Sequence, residues 1–242
     1  MLTVDFNRLP LRAGENVLDL GSGNGRHAFA ALRHGADVVA CDHDPAGLAE
    51  VATMFAAMRL AGEVPPEARA TTVCADARRL PFATASFDRI IAAEVLEHIH
   101  DDEVAMRELF LVLREGGLVA VTVPRWFPER VCWALSEQYH RVEGGHVRIY
   151  TRRTLRRRLT ATGLVGYARH HAHALHSPYW WVKCAVGVDR DHALARLYHR
   201  LLVWDIVRRP WITRTTERAL NPILGKSLVV YLRKPEGAGR AA

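Results

Sequence analysis

Apolar residues in the first half of the chain form short runs, and amphipathic stretches separate these runs. The runs are rich in β-branched residues and end at glycine, aspartate or proline, which predicts buried strands. The predicted strands are residues 17–20, 38–42, 71–76, 87–93 and 118–123, and the predicted helices are 27–32, 45–60 and one capped by Asp101. Strands that alternate with helices in this way indicate a mostly parallel sheet with helices on its faces.

The pattern changes after residue 124. Thr151 predicts the start of a helix over 152–162, residues 164–175 are compatible with a strand, and residues 228–232 have a clear strand pattern. The residues 177–226 between these two strands are basic, rich in aromatic side chains and predicted to be helical. A connection of this length inside a compact domain is usually functional, so we interpret it as an inserted cap.

Charge is distributed unevenly along the chain. Residues 1–124 carry 11 Arg, no Lys and 18 acidic residues, whereas residues 125–242 carry 22 Lys and Arg, 8 acidic residues and all six tryptophans. The net charge is therefore −7 in the first part and +14 in the second. Such an asymmetry indicates two roles in one chain, a nucleotide-type binding core and a basic, aromatic half.

Composition excludes several classes of protein. With 49% hydrophobic and 24% charged residues, the chain is neither disordered nor fibrous. No apolar run reaches the roughly 18–20 residues of a membrane span, and the first residues lack the pattern of a secretion signal. The four cysteines form no CxxC pair, which favours reduced thiols and a cytoplasmic location.

A glycine-rich turn follows the first predicted strand directly. In Gly21-Ser-Gly-Asn-Gly25 the glycines would let a ligand approach the backbone, although an ordinary tight turn is the alternative. A dinucleotide-binding fingerprint would need a glycine at position 26, where Arg26 stands. Asp19, just before the turn, places a carboxylate where the ammonium group of a ligand could be held.

Two further carboxylates follow the second and third predicted strands. Asp42 is placed to accept two hydrogen bonds from a ribose diol, or alternatively to cap the next helix, a role for which Asp44 competes. Asp76 ends the third predicted strand. Ligands bind at the carboxyl edge of open α/β sheets, where Asp19, Asp42 and Asp76 would all lie.

Several short segments together resemble the class I S-adenosylmethionine-dependent methyltransferases. They are Val17-Leu-Asp-Leu-Gly-Ser-Gly-Asn-Gly-Arg26, Asp42, Ala75-Asp-Ala77, Leu80-Pro-Phe82, Ser86-Phe-Asp88, Glu94-Val-Leu-Glu-His98 and Leu113-Arg-Glu-Gly-Gly-Leu118. The likeness covers residues 15–124, is closest to the branch containing quinone-biosynthesis methyltransferases, and extends more loosely to His146-Val-Arg-Ile-Tyr-Thr151 and the final strand. At Glu115 the family often has proline.

The resemblance implies an α/β fold, a doubly wound, seven-stranded, mostly parallel, Rossmann-like sheet whose last strand runs antiparallel between its neighbours. The helical cap insertion is added to this sheet. We therefore predict one methyltransferase domain over residues 1–242. Within it, residues 1–124 form the cofactor-binding core, 125–176 the variable substrate side, 177–226 the cap and 227–235 the last strand.

The resemblance also implies S-adenosylmethionine as cofactor, with S-adenosylhomocysteine as product. The residues predicted to bind it are Asp19, Gly21, Ser22, Gly23, Gly25, Asp42, His43, Asp76, Ala77, Ala93 and Glu94. Asp19 and the glycines would line the methionine end, Asp42 would hold the ribose, and His43, Asp76 and Ala77 would contact the adenine. Ala93 and Glu94 would lie near the sulfonium.

A weak acceptor nucleophile also benefits from a positioned base. His98 is the first candidate, because the loop after the fourth strand faces the methyl group in this fold; a structural histidine in a turn is the alternative. His140 and His146 are further candidates. The cluster His170, His171, His173 and His176 invites a metal site, but no carboxylate or thiol in that stretch completes one, so we expect no metal and place His173 in a substrate pocket.

The cap has four possible roles: a lid over an apolar acceptor, a surface that rests on anionic lipid, a nucleic-acid interface, or simple helical packing. As a lid it would contribute Tyr179, Trp180 and Trp181 to acceptor binding.

We predict methyl transfer to a small or lipid-like, largely apolar acceptor at oxygen or carbon, with peripheral contact to the inner face of an anionic membrane as a further possibility. The alternatives are a methyltransferase acting on RNA and a catalytically silent cofactor-binding protein. Nucleic acid is not expected as a partner, because no separate RNA-binding module is present and Glu94-Val-Leu-Glu97 lacks the (N/D)PPY-type run of base-modifying relatives. A NAD(P)-dependent oxidoreductase conflicts with Arg26 and Asp19. The sequence leaves the oligomeric state open.

Overall fold

The computed structural model describes residues 2–141, 144–208 and 210–237. Its strands are β1 (Asn16–Leu20), β2 (Asp37–Asp42), β3 (Ala70–Cys74), β4 (Phe87–Ala93), β5 (Leu113–Pro124), β6 (Val165–Ala172) and β7 (Ser227–Arg233). Its helices are α1 (Arg26–Arg33), α2 (Pro45–Leu60), α3 (Asp102–Val112), α4 (Trp126–Leu135), α5 (Glu137–His140), α6 (Arg152–Ala161), α7 (His176–Val186), α8 (Ala193–Arg208) and α9 (Trp211–Leu224). A 3₁₀ turn, Leu96–His98, follows β4.

The strands form one sheet in the order β3-β2-β1-β4-β5-β7-β6. Strands β1 to β5 pair in parallel, and β7 runs antiparallel to both of its neighbours. The predicted fold class is therefore confirmed. The chain changes direction across the sheet between β1 and β4, and ligands of open α/β sheets bind beyond the carboxyl ends of the strands at such a point.

Two apolar layers cover the sheet. On one face Leu32 of α1 and Val51 and Phe55 of α2 pack against the strands. On the other face Leu109 of α3 and Leu155 of α6 are fully buried. This sandwich holds the carboxyl ends of the strands rigid, which a binding site at that edge requires.

Two strands end earlier than the sequence pattern predicts. β3 ends at Cys74 rather than residue 76, because the Asp76 carboxylate accepts a hydrogen bond from the backbone N–H of Arg78 and closes a turn. β6 ends at Ala172 rather than residue 175, because His173 has a φ of 66°. His171 and His173 are therefore not alternate residues of one strand.

The helix caps show which of the candidate aspartates cap a helix. Asp44 caps α2 by accepting from the backbone N–H groups of Ala46 and Gly47, so Asp42 is free of that role. Thr151 caps α6 as predicted. Asp101 precedes α3, but its carboxylate pairs with Arg78 instead of capping the helix.

Residues 177–226 contain helices, as predicted. α7 packs against α4, and α9 packs beside β6. Of the helices in the described part of the chain, none is both long and apolar enough to cross a membrane.

Candidate active site

The turn after β1 is built from three glycines with left-handed backbone conformations. Gly21, Gly23 and Gly25 have φ angles of 67°, 49° and 75°, which residues with a Cβ adopt only at a cost. A Cβ at Gly21 would also lie 2.7 Å from the side chain of Val95. These glycines therefore keep bare backbone at the carboxyl edge of the sheet.

Asp19 is a buried carboxylate beneath this turn. It accepts a hydrogen bond of 2.8 Å from the backbone N–H of Ala28 and so fixes the first turn of α1. Burial raises the pKa of Asp19 to about 7 because the charged form loses its hydration. A cationic ligand group would restore the balance in favour of the carboxylate, which suits the predicted contact with an ammonium.

Asp42 joins the ends of β1 and β2. One carboxylate oxygen accepts from the N–H of Gly23 at 2.9 Å, and the other accepts from the N–H groups of His43 and Asp44. The His43 side chain is 90% exposed beside it. Asp42 thus shapes the glycine turn and presents its carboxylate at the open edge.

Asp76 lies in the turn after β3 and is engaged by a neighbour. The Arg78 guanidinium donates to both carboxylate oxygens, and these hydrogen bonds lower the pKa of Asp76. An adenine amino group would have to share the carboxylate with Arg78. Ala77 lies between these two residues in the same turn.

The end of β4 is strained at Glu94. Ala93 ends the strand, and Glu94 adopts a φ of 57°, which is uncommon for a residue with a side chain. Its carboxylate accepts from the Thr122 hydroxyl at 2.7 Å on neighbouring β5. Strained backbone of this kind concentrates at functional sites.

Two histidines meet just beyond Glu94. The rings of His98 and His146 have centroids 4.9 Å apart. The Nδ1 of His98 lies 2.7 Å from the carbonyl oxygen of Gly144, and the Nδ1 of His146 lies 2.5 Å from the Glu129 carboxylate. Because a carbonyl and a carboxylate only accept, Nδ1 of each ring carries a proton, and a ring that holds no second proton keeps a lone pair on Nε2.

Glu97 is a buried carboxylate beside these rings. It is 1% exposed, and neither carboxylate oxygen has a hydrogen-bond partner among the described residues. Its Oε1 lies 3.9 Å from the Nε2 of His98. Burial and the neighbouring Glu94 raise the pKa of Glu97 well above its usual value.

Glu97, His98 and His146 together offer three ligand atoms within 4.8 Å of one another. Two imidazoles with one carboxylate are a common set for divalent transition metals. Hydrogen bonds from the outer ring nitrogens to oxygen atoms are also typical of such sites. We call this group the Glu97 centre; it can hold a cation or act as an acid–base group.

His140 lies outside this centre. Its ring stacks on Trp133 with centroids 4.4 Å apart, and its Nδ1 lies near the carbonyl oxygen of Ser136. The geometry therefore brings together His98 and His146 of the three predicted catalytic histidines, but not His140.

The aromatic residues of α7 occupy different surroundings. Trp180 contacts Tyr139, which in turn contacts His146, so a chain of rings connects Trp180 with the Glu97 centre. Trp181 donates to the carbonyl oxygen of Pro128 on α4, and Tyr179 contacts Tyr198 of α8. His173 contacts the Thr3 hydroxyl.

Glu97 and Glu129 were missed by the sequence analysis. For Glu97 a signal existed, because Glu94, Glu97 and His98 lie in one short segment after β4. Glu129 has no such signal in the sequence. In the folded chain, burial alone would raise its pKa, but the hydrogen bond and charge of His146 outweigh burial and lower the pKa. Only the fold places it there.

Comparison with known proteins indicates the class of protein to which this domain is similar. A family model described as a methyltransferase domain matches residues 18–121. The chain is 33% identical over 142 residues to a demethylmenaquinone methyltransferase of Parafrankia sp. (strain EAN1pec), covering 54% of this chain and 56% of that protein. It is 38% identical over 117 residues to methyltransferase GfsG of Streptomyces halstedii, covering 48% and 40%. The chain thus spans about half the length of the curated relatives that it matches.

The solved structure of geranyl diphosphate methyltransferase in complex with S-adenosylmethionine has the same fold. The TM-score is 0.61 at 14% identity, over 95% of this chain and 82% of that one. Residues 18–121 are therefore a class I S-adenosylmethionine-dependent methyltransferase domain. The predicted resemblance, enzyme class and cofactor are confirmed at the level of this class of domain.

The glycine turn fits that cofactor. The Ser22 hydroxyl is buried without a hydrogen-bond partner in the described residues, which is expected where a ligand supplies the missing contact. Asp42 presents a carboxylate suited to a ribose diol. The contacts of individual residues with the cofactor stay predictions.

Proposed function

We propose that this protein transfers a methyl group from S-adenosylmethionine to an oxygen atom of a small, largely apolar acceptor. The observation that carries this proposal is the Glu97 centre, which lies directly after the strand end that faces the sulfonium in this class. Asp19, Ser22, the glycine turn and Asp42 would bind the cofactor. The acceptor would lie beside the Glu97 centre, against the chain of rings that ends at Trp180.

The reaction needs alignment and loss of one proton. The acceptor oxygen attacks the methyl carbon in line with the carbon–sulfur bond, and S-adenosylhomocysteine leaves with the electron pair of that bond. A hydroxyl group is a poor nucleophile until its proton is removed. An oxygen acceptor therefore explains why ionisable groups collect at this position.

We infer that the centre acts with a bound divalent cation. Glu97 supports this inference because a carboxylate buried without partners is costly, and a cation offsets that cost. A cation held by Glu97, His98 and His146 would lower the pKa of a coordinated hydroxyl group and hold its oxygen in place. His98 acting alone as a base is the second candidate.

The relatives suggest which acceptors to test. One is named a demethylmenaquinone methyltransferase, so reduced quinones and other phenols with apolar substituents are the first compounds to assay. The competing outcomes are methylation of RNA and no methylation of any acceptor. A protein that binds S-adenosylhomocysteine yet methylates none of the phenols would contradict the proposal.

The experiment uses purified full-length protein, chelator-treated and then resupplied with Mg²⁺, Mn²⁺ or Zn²⁺. We expect methylation to disappear after chelation and return with one of these ions, while S-adenosylhomocysteine binding is unaffected. His98→Ala should abolish the response to metal. Activity that survives chelation but is lost in His98→Ala would instead assign His98 as a base.

We propose that the acceptor is drawn from an anionic membrane surface. Several apolar side chains of α8 and α9 point to solvent, with Leu197, Val207 and Trp211 65%, 70% and 77% exposed. Arg200 and Arg208 are exposed on α8. Apolar side chains interleaved with arginine suit the interface of an anionic bilayer.

A further inference from the structure

A second group of potential metal ligands lies away from the Glu97 centre, where β6 passes into α7. His173 and His176 come from this junction, and Glu217 comes from α9. Each contributes one nitrogen or oxygen atom, and these three atoms lie within 4.8 Å of one another. The sequence analysis found no carboxylate for the histidine cluster because Glu217 is 41 positions beyond His176 and only the fold brings it near.

Two of these side chains have buried polar atoms without partners. Nδ1 of His176 and Oε1 of Glu217 are inaccessible and make no hydrogen bond within the described ranges. Unpartnered buried groups are rare in native proteins, and a bound ion is one of the recognised explanations. Both belong to the same cluster.

His173 is already oriented for coordination. Its Nε2 lies 3.0 Å from the hydroxyl of Thr3, and its Nδ1 faces Oε1 of Glu217 at 3.9 Å. When Nε2 donates to Thr3, Nδ1 keeps its lone pair for a metal, which is the usual outer-shell arrangement for a ligand histidine. The φ of 66° at His173 is a further sign that this position is functionally constrained.

The side chains of this cluster are largely buried, with His173 and Glu217 12% and 19% exposed. Burial lowers the pKa of His176 to about 4 and lowers that of His173 well below its usual value. Burial raises the pKa of Glu217, since no cation compensates its charge. Arg214 and Lys226 add positive charge nearby, and Asp205 adds negative charge.

We propose that His173, His176 and Glu217 bind a divalent cation of the zinc class. A tetrahedral site with bonds of about 2.0–2.1 Å has ligand atoms roughly 3.4 Å apart, so these side chains need to close by about an ångström. Two of the three ligand residues, His173 and Glu217, border a cavity of about 410 Å³ that Arg214 and Arg218 also line. A fourth position open to this cavity would take water or an anionic group.

The proposed metal connects α9 to the junction between β6 and α7. In the described structure a hydrogen bond from the N–H of Ala174 to the Asn221 side chain also joins these elements. A cation would add three bonds to this connection. Metal binding should therefore stabilise the cap, whatever the acceptor of the enzyme is.

The test isolates this cluster from the Glu97 centre. Zn²⁺ and Co²⁺ are titrated into full-length Glu97→Gln/His98→Ala protein, with calorimetry, the visible spectrum of bound Co²⁺ and thermal unfolding as readouts. We expect one equivalent to bind, a tetrahedral Co²⁺ spectrum and a higher Tm. Adding Glu217→Gln or His176→Ala should weaken binding by about 100-fold or more and remove the Tm shift.

His199→Ala is the matched control, because it removes an exposed histidine of α8. It should leave Zn²⁺ affinity unchanged. Thr3→Val should weaken affinity by about tenfold through the outer-shell hydrogen bond. Zn²⁺ affinity that is equal in the Glu217→Gln, His199→Ala and parent proteins would overturn the proposal, and far-ultraviolet circular dichroism verifies that each variant is folded. Methyl transfer is not a readout, so failure of the proposed function would not affect this result.

Discussion

The Nδ1 of His146 and the carboxylate of Glu129 lie 2.5 Å apart, although they are separated by 17 positions. Glu129 is buried on α4, and Trp133 also donates to it. The pair fixes which nitrogen of His146 carries the proton. In the neutral ring the lone pair then lies on Nε2.

Glu129→Gln tests this positioning role. We expect kcat to fall by about 10–100-fold, because a neutral amide stabilises a proton on Nδ1 less than the carboxylate does. The pH profile of kcat should shift, and KM for S-adenosylmethionine should stay close to that of the parent. Glu137→Gln, an exposed change on neighbouring α5, is the control. An equal loss in both variants would assign Glu129 a structural role alone.

Asp42→Ala should weaken S-adenosylhomocysteine binding strongly, by about 2 kcal/mol or more, because a ribose diol loses its charged acceptor. Calorimetry measures the change. Asp37→Ala removes the carboxylate at the opposite end of β2 and should have little effect. Tight binding of NADH with no response to S-adenosylhomocysteine would contradict the cofactor assignment itself.

Trp180→Ala should raise the acceptor KM by about tenfold while sparing S-adenosylhomocysteine binding, because its ring connects to His146 through Tyr139. Lys226 lies 5.3 Å from the same ring and should hold it in place. Trp204→Ala, on exposed α8, is the matched control. If both tryptophans alter KM equally, the acceptor does not lie against Trp180.

Local signals account for most of what could be predicted. The strands, the glycine turn and the aspartates at the strand ends follow from short patterns, because β1 to β5 succeed one another along the chain and form one parallel array. The pairings Glu129–His146 and Glu217–His173 do not, because their spacing follows no helical or strand period. His173 also ends the strand through a left-handed backbone conformation, which a histidine in the sequence does not predict.

Acid should destabilise the protein between pH 6.5 and 4. Burial lowers the folded-state pKa of His171 and His176 to about 4, so below pH 6.5 the unfolded chain binds protons that the folded chain does not. The stability present above pH 6.5 is lost as the pH falls through 4. We expect the free energy of unfolding to fall by about 1–3 kcal/mol in all over this pH range, after allowance for the partial exposure of both rings.

Asp19 acts in the opposite sense. Its folded-state pKa of about 7 lies above that of the unfolded chain, so its contribution is full below pH 4 and is lost as the pH rises through 7. Denaturant unfolding from pH 4 to 8 should therefore show a maximum near neutrality. His176→Asn should flatten the acid limb, and Asp19→Asn the alkaline limb. An unchanged profile in both variants would show that other groups control it.

The exposed face of α8 should bind anionic vesicles. Two charge reversals, Arg200→Glu with Arg208→Glu, should weaken association with vesicles of phosphatidylserine and phosphatidylcholine, at about 1 kcal/mol for each lost cation. Binding of the parent protein should also decline at roughly 0.5 M salt, where charges are screened over a few ångströms. Cosedimentation measures both effects.

The matched control is Arg153→Glu with Arg157→Glu at exposed positions of α6, which changes the net charge equally on another element. Equal losses in the two double variants would show that total charge, not the face of α8, governs the association. Undiminished binding of the α8 variant would exclude this face from contact with the membrane.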